Sequence, residues 1–233
     1  MIGGMGPQAS AKLLEVLIEV CAKDFGAKSD SDFPEIILNS VPVPNFITDK
    51  KNIKTVLGIL KSRVKKIENF NPSCFGIACN TAHVLLKDLQ TNTAVPFVSI
   101  IDEVAKKVAE AQIGKVGLLA TPVTIDSGLY QKALAKKNIS AVIPSNRDRK
   151  IVESIIWNVL AGRANDIDGK RLVLIAETLV KRGAQGIILG CTELPLVFPK
   201  DASLLIFDSI DILARALLQR FFESKQNDQA VRK

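Results

Sequence analysis

The amino-acid sequence predicts a mainly parallel α/β fold, and two observations support this prediction. First, short apolar runs alternate along the chain with longer segments of helical period, which is typical of a parallel sheet covered by helices. Second, one local plan occurs twice, at residues 75–81 and 187–193: an apolar strand ends in a small residue, and a cysteine and polar residues follow. The repeat suggests two similar halves, and 233 residues are enough for two halves of ordinary domain size.

Seven short apolar runs predict the strands, and eight segments with apolar residues on one helical face predict the helices. The predicted strands lie at residues 35–39, 74–78, 97–100, 116–120, 141–143, 186–190 and 204–207. The predicted helices lie at residues 8–25, 53–68, 82–90, 102–112, 125–137, 150–161, 171–182 and 210–222. The last helix follows Asp208-Ser209, a suitable cap, and the polar tail from Ser224 onwards is expected to fray.

The composition is that of a soluble globular protein, with 47% hydrophobic and 24% charged residues. No apolar run approaches the roughly 18 residues of a membrane span, and the first residues lack the pattern of a signal peptide. We therefore expect a cytoplasmic protein without a membrane partner. The formal net charge of +7 is spread over predicted helix faces and only 5% of residues are aromatic, which favours a solvated basic surface over a nucleic-acid partner.

The four cysteines, Cys21, Cys74, Cys79 and Cys191, fit neither a metal site nor a disulfide framework. None of them forms a Cys-x-x-Cys pair, and the single histidine, His83, cannot complete a zinc set with ordinary spacing. A disulfide framework is not expected in a chain of this size without a secretion signal. Cys21 and Cys74 lie in apolar patterns that predict core positions, so Cys79 and Cys191 are the two that require an explanation.

Cys79 and Cys191 each follow a predicted strand and precede a helix-like run. Ligands of open α/β sheets bind beyond the carboxyl ends of the strands, so both thiols could face one ligand. A helix N-terminus at each site would favour the thiolate. The same N–H groups could hold a carboxylate with help from nearby polar side chains. These side chains are Asn80, Thr81, Thr121, Thr124 and Thr192.

This arrangement fits the removal of a proton beside a carboxylate, where negative charge develops on the carboxyl oxygens. Inverting a stereocentre is simplest with one acid and one base on opposite faces, and two facing cysteines supply both. The competing interpretation is that each cysteine only fills the core at the end of a buried strand. His83, four residues after Cys79, either tunes that thiol or is an ordinary helix histidine.

A glycine turn, Gly3-Gly4-Met5-Gly6-Pro7, opens the chain. It matches neither a dinucleotide-binding fingerprint nor a P-loop, which would need Gly-Lys-Ser/Thr. Glycine at these positions lets the backbone approach a small ligand closely. Pro7 suits the first turn of the helix that follows.

Four segments together resemble the aspartate/glutamate racemase superfamily, and specifically its aspartate-racemase branch. They span most of the chain in the expected order: Gly3-Gly4-Met5-Gly6-Pro7, Ala78-Cys79-Asn80-Thr81-Ala82, Gly117-Leu118-Leu119-Ala120-Thr121 and Gly190-Cys191-Thr192-Glu193-Leu194-Pro195-Leu196. Glutamate racemases usually open with Asp-Ser-Gly and carry Cys-Thr-His at the second cysteine, whereas this chain has Gly-Met-Gly-Pro and Cys-Thr-Glu.

The resemblance implies two pseudo-symmetric, Rossmann-like α/β domains, residues 1–97 plus 207–233 and residues 98–206, with the active site in the cleft between them. It implies an amino-acid substrate, neither pyridoxal phosphate nor a metal, and a homodimer. It makes Cys79 and Cys191 the proton donor and acceptor. The resemblance and the polar pattern together give the candidate substrate-binding residues Met5, Phe46, Thr48, Asn80, Thr81, Ala82, Thr121, Thr124, Leu160 and Thr192.

The sequence departs from the aspartate-racemase pattern at three places. Only Met1 and Ile2 precede the glycine turn, where the family usually has several strand residues. Phe46 and Leu160 stand where an Arg and a Lys are thought to hold the side-chain carboxylate of aspartate. We therefore expect a pocket that favours neutral or larger side chains or is broad, although other arginines, Arg147, Arg149 and Arg163, keep aspartate open.

Two other functions remain open at this point. A hydantoin racemase or a decarboxylase of the same superfamily is one, although the presence of both cysteines favours racemisation. A small-molecule binding protein that kept the fold and lost the chemistry is the other, and Phe46 and Leu160 are compatible with it.

Overall fold

The computed structural model describes residues 1–46 and 50–231 and has a mixed α/β architecture. Its strands are β1 Ile2–Gly3, β2 Asn39–Ser40, β3 Phe75–Gly76, β4 Phe97–Val98, β5 Lys115–Leu119, β6 Ser140–Val142, β7 Ile187–Leu189 and β8 Ile206–Asp208. Its α-helices are α1 Pro7–Asp24, α2 Ile53–Glu68, α3 Leu86–Gln90, α4 Ile100–Glu110, α5 Pro122–Asp126, α6 Leu129–Ala135, α7 Asn146–Leu160, α8 Asp166–Lys181 and α9 Ser209–Val231.

Every strand pair in the described residues is parallel, as predicted. In the first half of the chain, β1 pairs with β2 and β3 pairs with β4, and a bridge between Ile2 and Ile77 links the two pairs. In the second half, four strands form one sheet in the order β6-β5-β7-β8. The predicted α/β class with parallel sheets is confirmed.

The four-stranded sheet is buried on both faces. Alternate residues of its strands point to opposite sides, and each side packs against a different apolar cluster. Leu119, Ile187 and Leu189 belong to one apolar cluster with residues of α7 and α8. Leu118 and Ile188 belong to another, which contains residues of α1, α4 and α9. A third cluster lies around β1, β3 and α2 in the first half. Helix α9 packs against both α1 and α4, so the C-terminal helix ties the two halves together.

One strand prediction in the first half was wrong, and one short strand was missed. Residues 35–38 form no strand, and pairing begins only at Asn39–Ser40. The partner of this strand, Ile2–Gly3, was not predicted, because two residues are too short to show a pattern. Ile2 is nevertheless fully buried, and its carbonyl accepts a hydrogen bond from Ala78 N at 2.9 Å.

Local turn and capping chemistry shifts several helix boundaries from the predicted ones. The helix predicted at 125–137 is split into α5 and α6 because Gly128 adopts a left-handed conformation with φ of 69°. Helices α7 and α8 begin about one turn earlier than predicted, where Ser145 and Asn165 accept hydrogen bonds as N-caps. Helix α9 continues to Val231, past its predicted end at 222. None of the helices in the described ranges is long and apolar enough to cross a membrane.

Candidate active site

Cys79 and Cys191 lie at the carboxyl ends of parallel strands in different sheets. Cys79 follows β3 and the bridging residue Ile77, and Cys191 follows β7. Both side chains are 4% exposed. Asn80, the residue after Cys79, donates to Ser209 Oγ at 3.1 Å, and Ser209 donates at 2.7 Å to the carbonyl of Leu189, two residues before Cys191, so the two cysteine turns lie side by side. The predicted convergence of the two cysteine motifs is therefore present in the structure.

The thiols are not activated as the sequence suggested. Burial raises the pKa of Cys79 to about 12, with a further contribution from the negative charge of Glu193. Burial and Glu193 also raise the pKa of Cys191 well above its ordinary value. The segments that follow the cysteines are short 3-10 helices, Thr81–Leu85 and Leu194–Leu196, rather than long α-helices. The N–H groups of Thr81 and Ala82 do lower the pKa of Cys79, but burial outweighs them.

Three threonine hydroxyls form a buried cluster beside Cys79. Thr81 Oγ1 lies 2.9 Å from Thr121 Oγ1 and 3.1 Å from Thr124 Oγ1, and Thr121 donates to Thr124 at 2.9 Å. Thr121 also caps α5 by accepting a hydrogen bond from Thr124 N. Each hydroxyl has one proton and two acceptor lone pairs, so the cluster can turn donors towards an anion without leaving a hydroxyl unpaired. The cluster joins the first cysteine turn to the end of β5.

Asn80 fixes the first cysteine turn against the second half of the chain. Tyr130 Oη donates to Asn80 Oδ1 at 2.5 Å, and Asn80 Nδ2 donates to Ser209 Oγ at 3.1 Å. Ser209 in turn donates to the carbonyl of Leu189, the last residue of β7. Burial, the charge of Cys191 and that of Asp208 raise the pKa of Tyr130, which keeps its hydroxyl proton in this network. Both ends of the Asn80 amide are thus occupied by protein partners.

His83 supports the backbone of the site and does not contact the Cys79 thiol in the hydrogen-bond network. Ile100 N donates to His83 Nε2 at 3.1 Å, so the proton of the neutral ring is on Nδ1, which donates to the carbonyl of Cys79 at 2.9 Å. The ring therefore links the cysteine turn to the start of α4. Burial lowers the pKa of His83 to about 4, so the neutral ring is the folded form at neutral pH.

We expect His83 to make the protein acid-sensitive between pH 6.5 and about 4. The unfolded chain takes up a proton near pH 6.5 and the folded chain only near 4, so stability present above 6.5 is lost as the pH falls. The difference between the pKa of 6.5 in the unfolded chain and about 4 in the folded chain corresponds to about 3 kcal/mol of unfolding free energy. Urea unfolding at several pH values in this range measures the free energy of unfolding of the wild type and of His83→Gln. The wild type should lose more stability than the variant as the pH falls, and an equal loss in both proteins would contradict the expectation.

Glu193 was not among the predicted site residues, yet it lies at the centre of the site. Its side chain is 1% exposed. Glu193 Oε2 accepts hydrogen bonds from Cys191 Sγ at 2.9 Å and Thr192 Oγ1 at 3.2 Å. Glu193 Oε1 accepts from Gly6 N at 3.0 Å, which brings the glycine turn of the first half into contact with the second cysteine turn. The available signal was an acidic residue two positions after a cysteine in a tight turn.

The predicted apolar residues belong to, or pack against, the apolar clusters that contain the two thiols. Met5, Phe46 and Ala82 are buried in the same apolar cluster as Cys79. Leu160 is half-buried against the cluster of Cys191, and a Cβ atom added to Gly6 would lie 2.3 Å from Leu160 Cδ2. A side chain at position 6 would therefore require Leu160 to move. Thr48 lies outside the described residues.

Gln8 is a second polar residue that the sequence did not reveal. Its Nε2 donates to the carbonyl of Leu160 at 3.0 Å. Its Oε1 atom is buried and has no hydrogen-bond partner among the described residues. That oxygen would lie 3.4 Å from a Cβ added to Gly6, beside Leu160 and Glu193. An unpaired buried acceptor at this position is suited to a donor group of a bound ligand.

Parallel sheets covered by helices, with buried polar groups and thiols at the carboxyl ends of the strands, define an α/β protein of the class that binds a small ligand at this edge. The family model of the Asp/Glu/Hydantoin racemases matches residues 2–217, and the chain belongs to that family. This confirms the resemblance seen in the sequence.

Relatives of known name span nearly the whole chain. The broad specificity amino-acid racemase RacX of Bacillus subtilis is 27% identical over 95% of this chain and 96% of its own length. An aspartate racemase homologue from Pyrococcus horikoshii is 31% identical with a TM-score of 0.78, covering 94% of this chain and 96% of that one. The aspartate racemase of Picrophilus torridus is 28% identical with a TM-score of 0.81, covering 94% and 91%.

Proposed function

We propose that this racemase interconverts the enantiomers of an amino acid, with Cys79 and Cys191 as its acid and base. The observation that carries the proposal is that two buried strand-end thiols from different sheets lie on turns joined by the hydrogen bonds of Asn80 and Ser209. One sulfur removes the α-proton of the substrate, and the other donates a proton to the opposite face. A proton exchanged on a single face would return the starting enantiomer, so both groups are needed.

The buried polar groups around the thiols fit the charged groups of an amino acid. The hydroxyls of Thr81, Thr121 and Thr124 can donate to the α-carboxylate, where negative charge grows as the proton leaves. The unpaired Gln8 Oε1 can accept from the α-ammonium group. His83 holds the turn that carries Cys79 and has both ring nitrogens occupied by backbone groups, whereas the second N–H of the Asn80 amide can still donate to the α-carboxylate.

We further propose that the site accepts neutral side chains and has no strong preference for aspartate. Phe46 and Leu160 both pack against apolar residues. The unpaired side-chain carboxylate of a bound aspartate would cost on the order of several kcal/mol in these surroundings. The broad specificity of the Bacillus subtilis relative agrees with this.

The test is a panel of L-amino acids incubated with reduced enzyme in D₂O. NMR follows the removal of the α-proton through the loss of its signal. Chiral chromatography follows the formation of the D-isomer. We expect turnover of several neutral amino acids at rates equal to or above that of L-aspartate. Turnover of L-aspartate far above the neutral ones would overturn the proposed specificity, and exchange with none of them would overturn the proposed activity.

We also propose a cytoplasmic homodimer. All four cysteines are free thiols, which suits a reducing compartment. Ile167 and Leu174 are both more than 60% exposed and lie two turns apart on one face of α8, a surface suited to a second copy of the chain. The mass in solution decides between monomer and dimer.

A further inference from the structure

The hydrogen bond between Cys191 and Glu193 is unusual because both groups are buried and both can hold the same proton. The Cys191 thiol donates to Glu193 Oε2 at 2.9 Å, and each side chain is no more than 4% exposed. Thr192 Oγ1 on Oε2 and Gly6 N on Oε1 fix the orientation of the carboxylate. The proton that joins the two groups is therefore held in a defined geometry between sulfur and oxygen.

The surroundings of this pair contain negative and neutral groups. Cys79 at the end of the first sheet and Tyr130 of α6 are near enough for their charges to interact with that of Cys191. His83 is neutral and bonded to backbone on both sides of its ring. No salt bridge joins Glu193 to a lysine or arginine within the described ranges. A thiolate formed by losing a proton to water would thus be a second buried anion beside a carboxylate, which is strongly opposed.

Moving the same proton from sulfur to oxygen creates no new charge. The pair holds one proton and one negative charge before and after the transfer, so the transfer avoids a second buried charge and costs only the difference in acidity between a thiol and a carboxylic acid. We propose that Cys191 and Glu193 form a proton-sharing dyad that makes Cys191 the base of the resting enzyme, while Cys79 holds the proton to be donated. This inference rests on the proposed two-thiol racemisation and assigns the two roles.

The protons balance through one turnover. Glu193 takes the thiol proton of Cys191, and the resulting thiolate removes the α-proton of the substrate. Cys79 donates its thiol proton to the opposite face and becomes a thiolate. The enzyme then carries a protonated Cys191, a protonated Glu193 and an ionised Cys79, and net transfer of the Glu193 proton to Cys79 restores the starting form. The form with Cys79 ionised is the one that accepts the other enantiomer.

The dyad predicts how the wild-type rate depends on pH. Because its proton moves internally, kcat/KM and the rate of Cys191 alkylation by iodoacetamide should both be nearly constant from roughly pH 6.5 to 8.5. A lone thiol of high pKa would instead give rates that rise about tenfold per pH unit. Alkylation at Cys191 is followed by peptide mass spectrometry, which needs no substrate.

Glu193→Gln removes the proton acceptor and keeps the shape and the contact with Gly6. We expect its kcat/KM at neutral pH to fall about 100-fold, the scale of a general base, and its rates to rise steeply with pH. Glu193→Asp should restore part of the flat profile, because it keeps a carboxylate. Glu177→Gln, on the exposed face of α8, is the matched control and should behave as the wild type.

The outcomes separate this inference from the proposed activity. A wild type that racemises amino acids with a steeply rising pH profile overturns the dyad and leaves the racemase, and so does Glu193→Gln with unchanged rate and profile. A wild type without racemisation but with pH-independent alkylation of Cys191, made steep by Glu193→Gln, supports the dyad and overturns the activity. If the rate of Cys191 alkylation rises equally with pH in the wild type and in Glu193→Gln, the dyad is overturned, whether or not the enzyme racemises amino acids.

Discussion

Replacing either Cys79 or Cys191 with serine is expected to lower racemisation by at least about 10³-fold, within the range that acid–base groups contribute. A serine hydroxyl fits the space of the thiol but does not ionise near neutral pH, so it can neither remove the α-proton nor return one efficiently. Chiral chromatography of the product from each variant measures the loss. Cys74→Ser is the matched control, because Cys74 is also a free, partly buried thiol but precedes β3 at the opposite end of the strand.

The two variants should also differ from each other in D₂O. The thiol that remains can still remove and return a proton on its own face, so each variant should exchange the α-proton of one enantiomer without inverting it. Cys79→Ser and Cys191→Ser should therefore act on opposite enantiomers, and NMR of each enantiomer shows which face each sulfur serves. A variant that keeps full racemisation, or two variants that exchange the same enantiomer, would contradict the two-thiol mechanism.

The meeting of the two cysteine motifs could be predicted from the sequence, because strand ends of parallel sheets have a known place in the fold. Cys79 and Cys191 both follow buried strands, and this was enough to bring them to the ligand-binding edge. Thr81, Thr121 and Thr124 followed from the same reasoning and do form one cluster. Their roles in binding or catalysis stay predictions.

The ionisation of the thiols could not be predicted from the sequence. A helix N-terminus is visible as a pattern, whereas the depth of burial of Cys79 depends on residues distant in the chain, such as Ile2 and Met5. Burial decided the direction in which the pKa moved. Glu193 was missed for a related reason, because its contact with Gly6 joins residues 187 positions apart.

Gly4→Ala is expected to destabilise the fold by about 3 kcal/mol or more, combining strain at a positive φ with overpacking. Gly4 has φ of 90°, in the region that favours glycine, and an added Cβ would lie 2.3 Å from Val41 N and 2.6 Å from Val41 O. These backbone atoms cannot retreat freely, since Val41 N donates to the carbonyl of Gly3 at 3.0 Å beside the pairing of β1 and β2. Urea or thermal unfolding measures the loss.

Gly58→Ala is the matched control, because Gly58 lies inside α2 with no atom within 4 Å of an added Cβ. Alanine there should raise the free energy of unfolding by roughly 0.5 to 1 kcal/mol, the usual gain in a helix. The Gly4 variant should also lose more activity than its folded fraction explains, because the same turn carries the Gly6 N–H that holds Glu193. Equal stability of the two variants would contradict the crowding at Gly4. If the activity of Gly4→Ala falls only in proportion to its folded fraction, the glycine turn does not contribute to the active site through Glu193.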